Sequence, residues 1–205
     1  NFYLGSFIPA QTNYWYYIPL WICITTPLLI ITFFIYGFLL SIRRIFCRLI
    51  KIKNEVHLND LWRGFSEFQD LIFIILFLVP IFLTIVFKST LYTGWRHLYF
   101  IYPFIILIGL NALRIIYLKL NLIKAQNIKR ILNFIISIFI ISNFYWMYKN
   151  HPFQNNYFNF FAGDKPHNNF EVDYWGLSNR FALEKILNDD DNKIIAVSAI
   201  SVTSL

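Results

Sequence analysis

Four long apolar runs dominate the chain, and shorter stretches between them hold most of the charge. The runs cover about residues 16–40, 71–87, 98–118 and 131–148. A helix that crosses a bilayer needs roughly 20 apolar residues, so each run is predicted to be a transmembrane helix. The second and fourth runs are short, and their helices must borrow flanking residues or lie in a thinned bilayer. Buried helices of a soluble core are disfavoured, because so short a chain has little polar surface to enclose them.

A different pattern follows the fourth run. Residues 151–180, HPFQNNYFNFFAGDKPHNNFEVDYWGLSNR, mix many aromatic side chains with Asn, Asp, Gly and Pro, and show neither helix nor strand periodicity. Such a segment is too aromatic for a solvated linker and too polar for lipid. We predict an ordered loop that lies against a membrane surface, which is a common place for functional residues.

The end of the chain predicts a small domain. Residues 177–187 have helical spacing with Ser178 as a plausible N-cap, and the β-branched residues 194–202 are typical of a strand. The predicted fold is therefore mainly α, a polytopic membrane protein with four transmembrane helices and the start of a small extracytosolic α/β domain. Its parts are an outer loop at 1–15, a transmembrane region at 16–148 and a tail at 149–205. Because the chain begins with Asn and stops in a strand-like run, we expect a fragment of a longer protein.

The distribution of charge predicts the orientation in the membrane. Basic residues concentrate between the first and second runs and between the third and fourth, whereas the 88–97 connection is nearly neutral. The positive-inside rule places both basic loops in the cytosol of a multi-pass protein of the inner (plasma) membrane. The N-terminal end, the 88–97 connection and the tail then lie outside. The net charge of +7 follows from this arrangement, so no nucleic-acid partner is expected.

Two features of the first run leave alternatives open. Pro19 and Pro27 are predicted to kink its helix, where Thr25 and Thr26 could satisfy freed carbonyls, and a packing kink is favoured over a gating hinge. The basic stretch IRRIFCRLIKIK, residues 42–53, is either an amphipathic helix in the inner interface or a plain basic anchor. The anchor is favoured.

Candidate site residues lie at the outer ends of the apolar runs. Arg96 and His97 precede the third helix, where a guanidinium can clamp a phosphate and an imidazole can add a hydrogen bond. Anchoring at the interface is the alternative for Arg96. His151 follows the fourth helix, where a histidine more often caps the helix dipole than performs catalysis.

A pair of carboxylates follows in the aromatic stretch. Glu171 and Asp173 could act as acid/base groups or bind an acceptor, but a structural ion pair with Arg180 or Lys165 is favoured. The sequence contains no Cys/His cluster with metal-ligand spacing, and neither a metal nor a cofactor is expected.

Three motifs resemble one enzyme family. They are YYIPLWICITTP at 16–27, GWRHLYFIYP at 94–103, and HPFQNNYFNFFAG at 151–163 with FEVDYWGLSNRFALEKI at 170–186. Together they are similar to the C-terminal half of bacterial GT-C membrane glycosyltransferases, of the family 39 type within the dolichyl-phosphate-mannose–protein mannosyltransferase superfamily. The resemblance covers residues 16–187, and the last motif is the most specific.

The resemblance implies an activity and roles for particular residues. A sugar on a polyprenyl phosphate would be transferred outside the membrane to a hydroxyl of an acceptor glycan, lipid or protein. The expected catalytic base belongs to the N-terminal half, so this part alone would be inactive and contains no catalytic residue. Arg96 and His97 are the candidates for binding the donor phosphate. The candidates for the acceptor side or for docking the outer domain are His151, Asp173, Tyr174 and Trp175.

The alternative is a protein without enzymatic activity, either a membrane scaffold or a transporter subunit with an outer docking domain. Transporters commonly place ionisable residues at mid-membrane. These four runs have none deep inside, which disfavours transport.

Overall fold

The computed structural model describes residues 2–9, 14–50, 62, 64–92, 94–173 and 176–189, and it is mainly helical. The helices in chain order are α1 (Tyr17–Thr25), α2 (Leu28–Ile50), α3 (Phe65–Val86), α4 (Tyr102–Leu122), α5 (Gln126–Lys149) and α6 (Leu177–Asp189). A 3₁₀ segment, Arg96–Ile101, leads into α4, and three short 3₁₀ turns lie in the aromatic loop at Gln154–Asn156, Phe160–Ala162 and Pro166–Asn168. Two short strands, β1 (Phe2–Tyr3) and β2 (Ser6–Phe7), form an antiparallel hairpin in which Phe2 faces Phe7 and Tyr3 faces Ser6.

Within the described residues, four helical stretches are long and apolar enough to cross a membrane, as predicted. They are Leu28–Arg48, Phe65–Val86, Arg96–Leu122 and Gln126–Lys149. The second and fourth are longer than their apolar runs, because residues 65–70 and 126–130 add a more polar first turn. No side chain of α5 is fully buried within the described part of the chain.

The predicted first helix, 16–40, is in fact two helices. Thr26 leaves the helical conformation, with φ −100° and ψ 137°, and α2 begins after Pro27. Pro27 therefore ends a helix where a kink was predicted, since proline has no N–H to donate and disfavours helical geometry at the residue before it. Pro19 lies in the first turn of α1, where proline is tolerated.

Whether the basic stretch 42–53 lies in the inner interface or only anchors the chain stays a prediction. Its described part, residues 42–50, does not form a separate helix. It continues α2, and two of its arginines bind acidic residues in the first turns of α3. Arg44 Nη1 lies 3.0 Å from Asp70 Oδ2, and Arg48 forms a two-pronged ion pair with Glu67 at 2.5 and 2.7 Å. These ion pairs fasten α2 to α3 at the end of the bundle that was predicted to be cytosolic.

Helices α2 and α4 approach each other closely through small residues. A Cβ atom at Gly37 would lie 2.3 Å from the carbonyl oxygen of Ile108 and 3.1 Å from Ala112 Cβ. At Gly109 it would lie 3.3 Å from the backbone nitrogen of Phe34. Small residues allow transmembrane helices to pack backbone against backbone, and here they make the α2–α4 contact the centre of the bundle.

The N-terminal hairpin, the segment before α4 and the aromatic loop pack together at the other end of the bundle. Tyr3 forms a β-bridge with Phe170, and the Glu171 N–H donates to Phe2 O at 3.1 Å. Trp21 of α1 contacts Phe170, with ring centroids 5.4 Å apart. This packing fits the predicted location of all three segments on one side of the membrane; that this side faces outward remains a prediction.

The tail is described as far as residue 189. The predicted helix at 177–187 is confirmed as α6, but Ser178 is its second residue, not its N-cap. The carboxylate of Asp173 accepts the backbone N–H groups of Leu177 at 2.9 Å and Ser178 at 2.7 Å, and so caps the helix. The predicted strand at 194–202 lies outside the described residues.

Candidate functional site

The break between α1 and α2 is sealed by Asn159 of the aromatic loop. Its Nδ2 donates to the carbonyls of Cys23 and Thr26, each at 2.6 Å, and its backbone N–H donates to Ile24 O at 2.8 Å. In an unbroken helix the Cys23 carbonyl would accept the N–H of residue 27, which proline lacks. Asn159 therefore supplies the hydrogen-bond donors that these carbonyls lack because of Pro27 and the break in the helix. The freed carbonyls find a loop amide, and not the threonine hydroxyls that the sequence suggested.

A second bond joins α1 to the segment before α4. Trp95 Nε1 donates to Thr25 Oγ1 at 2.9 Å, and the Thr25 hydroxyl itself donates to Trp21 O at 2.7 Å. Trp95 is buried, so this bond fixes both its ring and the start of the 3₁₀ segment.

These contacts frame a cleft of about 300 Å³ at one end of the bundle. Its walls consist of aromatic rings, three of them phenols, together with two amides and a threonine side chain. These are contributed by Thr25, Trp95, Tyr99, Tyr102, Gln154, Asn155 and Tyr157. Convergent polar groups in a mainly aromatic concavity are typical of small-molecule sites, and this volume is at the lower end of their usual range of roughly 300–1,000 Å³.

The cleft is electrically neutral. Among the described residues, none of those that line it carries a charge. Burial raises the pKa of the Tyr157 phenol above its usual value of 10.0, so that hydroxyl stays protonated at physiological pH. The lining suits a neutral ligand that exchanges hydrogen bonds and presents an apolar face.

Asn155 is the exceptional residue of this cleft. Its Nδ2 and Oδ1 are both buried, and neither has a hydrogen-bond partner within the part of the chain that the structure describes. Buried amides are nearly always paired, because an unpaired polar group loses its hydration without compensation. Asn155 also borders a second cavity of about 10 Å³, beside Gly94 and Glu171, which is close to the space that one water needs.

The predicted phosphate-binding pair lies beside the cleft and not in it. Arg96 is half-buried and His97 is exposed, with its ring centroid 6.2 Å from that of Tyr92. Arg96 is near Glu171. Burial raises the pKa of the Glu171 carboxyl, and the Phe2 N–H and the Arg96 guanidinium partly oppose this. Phosphate binding by Arg96 and His97 remains a prediction, and the bound phosphate would lie outside the cleft.

The other residues predicted to form the site lie apart from one another. Asp173 caps α6 while Glu171 faces Arg96, and Arg180 pairs with Glu184 at 2.8 Å. Arg180 is thus engaged within α6, and the expected shared ion pair is wrong.

His151 is exposed, and its Nδ1 lies 2.8 Å from Gln154 Nε2. It thereby positions a cleft residue without lining the cleft itself. Tyr174 and Trp175 lie outside the described residues.

Sequence reasoning missed most of the cleft because it selected charged and ionisable side chains. Trp95, Tyr99 and Tyr102 are spaced i, i+4 and i+7, which places them on one face of a helical segment. That spacing was a usable signal. Arg96 and His97 are rotated away from this face by about 100° and 200° in an α-helix, and by somewhat more in a 3₁₀ segment.

No family model, curated protein or solved structure matches this chain. The family resemblance therefore depends on the three motifs alone. Within the described residues, no group of three or more His, Cys, Asp or Glu side chains could hold a metal ion.

Proposed function

We propose that the chain forms the C-terminal part of an integral-membrane glycosyltransferase. The enzyme transfers a sugar from a polyprenyl-phosphate donor to an acceptor hydroxyl at the outer face of the membrane. The four helices that are long and apolar enough to cross a membrane support the proposal, because the lipid tail of such a donor is confined to the bilayer.

One observation carries the proposal: every lining residue of the cleft belongs to one of the three motifs. The 16–27 motif contributes Thr25, the 94–103 motif contributes three aromatic rings, and the 151–163 motif contributes two amides and Tyr157. The motifs are far apart in sequence, yet the Trp95–Thr25 bond and the Asn159 cap bring them together. Motifs that served helix packing alone would have no reason to converge on one concave surface.

The location of the cleft also supports the proposal. It lies at the N-terminal end of α4, where the 3₁₀ segment joins the helix, and Arg96 follows its lining residue Trp95 in sequence. A sugar bound there would have its phosphate at the depth of the lipid headgroups, within reach of cationic side chains at the helix end.

The test is sugar transfer by the complete gene product in proteoliposomes. A panel of synthetic polyprenyl-phosphate sugars is supplied, and release of polyprenyl phosphate is measured. We expect release with at least one donor, and its loss in Arg96→Ala. Arg180→Ala is the matched control, because that arginine is exposed and pairs within α6, and it should leave release unchanged.

Two results would count against these assignments. Release that persists in Arg96→Ala removes Arg96 from the donor site. Absence of release with every donor, from protein that unfolds cooperatively on heating, contradicts a glycosyltransferase and favours the membrane scaffold.

A further inference from the structure

We propose that the neutral cleft is the subsite for the sugar ring, and that Asn155 is the side chain that recognises the sugar's hydroxyls. The inference rests on the proposed function for the source of the sugar and goes beyond it by naming what the cleft binds. The phosphate of the donor lies outside the cleft.

The walls match one face of a pyranose. Trp95 and Tyr99 meet edge to face with centroids 4.9 Å apart, and Tyr102 lies 6.1 Å from Trp95. Trp95 is buried, Tyr102 is half-buried and Tyr99 is exposed. The three rings form an apolar wall on which the C–H face of a sugar ring can stack. A cleft of about 300 Å³ is at the small end of ligand sites, which favours a single ring over an extended glycan.

Asn155 supplies the polar half of the match. A side-chain amide offers two N–H donors and one acceptor oxygen, which suits vicinal hydroxyls that each donate and accept. Neither polar atom of Asn155 has a partner among the described residues. The fold thus leaves an amide unpaired and covered beside the aromatic wall. A change of its rotamer on binding would bring it to a bound hydroxyl pair, which would satisfy it.

The same lining disfavours a phosphate. Phosphate sites in proteins use arginine, lysine or several converging backbone N–H groups. No cationic side chain lines the cleft in the described ranges. An ordered water in the neighbouring 10 Å³ cavity is the competing partner for Asn155.

The binding test uses this chain reconstituted in nanodiscs made from lipids without sugar headgroups. Saturation-transfer NMR is recorded with methyl α-D-mannopyranoside and methyl α-D-glucopyranoside, and phosphate binding is followed by ³¹P line broadening. We expect saturation of the ring protons of at least one sugar and no phosphate binding in the cleft. Asn155→Leu should weaken sugar binding by about tenfold or more, the factor expected when one to two hydrogen bonds are lost.

The melting temperature distinguishes a role of Asn155 in ligand recognition from a role in stabilising the fold. Asn155→Leu removes two unpaired buried atoms, so its melting temperature should equal or exceed that of the wild type. Asn156→Leu is the matched neighbour: Asn156 Oδ1 accepts the Asp173 N–H at 3.1 Å, and its loss should lower the melting temperature. Ser142→Ala on α5 should change neither the sugar binding nor the melting temperature.

Each outcome decides the question. Undiminished sugar binding in Asn155→Leu, a lower melting temperature for that variant, or phosphate that displaces the sugar would each overturn the inference. Sugar binding without any transfer by the complete gene product would leave the subsite standing and remove the glycosyltransferase. Transfer with unchanged KM in Asn155→Leu would leave the enzyme standing and remove the subsite.

Discussion

The cap formed by Asn159 should be one of the most sensitive positions in the molecule. In Asn159→Leu the size of the side chain is kept, but two 2.6 Å bonds to the Cys23 and Thr26 carbonyls are lost. Each buried carbonyl left without a donor costs roughly 1–3 kcal/mol, so the variant should lose about 2–5 kcal/mol of unfolding free energy. For a chain of this size that corresponds to a fall in melting temperature on the order of 10 °C.

The assay is thermal unfolding followed by intrinsic tryptophan fluorescence in nanodiscs. Asn143→Leu is the matched control, because Asn143 Nδ2 donates to Phe139 O within a single helix, where the backbone already serves that carbonyl. Pro27→Ala provides a second check: an alanine restores the N–H that the Cys23 carbonyl lacks, so Asn159→Leu should cost less in that background. The reasoning is refuted if Asn159→Leu and Asn143→Leu lower the melting temperature equally.

Three further sets of variants probe the bundle and the loop. Gly37→Ala should destabilise strongly, since its Cβ would lie 2.3 Å from a backbone oxygen, whereas Gly109→Ala, at 3.3 Å, should be milder; equal melting temperatures would contradict the close α2–α4 approach. Burial raises the pKa of the Glu171 carboxyl above its ordinary value of 4.5. The contribution of this carboxyl to stability is therefore full below pH 4.5 and is lost as the pH rises through the pKa of the folded state. Glu171→Gln should abolish this dependence in melting curves recorded from pH 4 to 8, and a retained slope would assign it to another group. Exchanging Arg48 and Glu67 should restore most of the stability that either single charge reversal removes, and a double variant as unstable as the sum of the singles would exclude the ion pair.

The sequence predicts the helices well because transmembrane length and hydrophobicity are local properties. It also predicts α6 and the disruption at Pro27, since proline acts through its own missing N–H. The role of Asn159 at that disruption could not be predicted from the sequence. Asn159 lies more than 130 residues away from Cys23 in sequence, and nothing in its neighbours distinguishes it from the other asparagines of the loop. Contacts of this kind depend on how the chain folds back.

The same distinction between local and long-range features applies to the candidate site. Every residue that lines the cleft lies within the three motifs. The predicted site residues in those motifs were mostly charged or ionisable, whereas the lining residues are mainly aromatic rings and amides. The bond from Trp95 to Thr25 decides which face of the 3₁₀ segment turns inward, and such a contact is not visible in the sequence. Asp173 was predicted either for the acceptor side or for docking the outer domain, and in the structure its carboxylate caps α6.

Photocrosslinking tests the central claim most directly. The complete gene product in proteoliposomes is illuminated with a polyprenyl-phosphate sugar that carries a diazirine on the sugar ring, and the labelled peptides are identified by mass spectrometry. We expect crosslinks that unlabelled donor suppresses, confined to the neighbourhoods of Trp95–Tyr102 and Gln154–Tyr157, with fewer in Asn155→Leu. Suppressible crosslinks that fall elsewhere in the protein, or labelling that unlabelled donor does not reduce, would contradict a sugar-binding cleft at this end of the bundle.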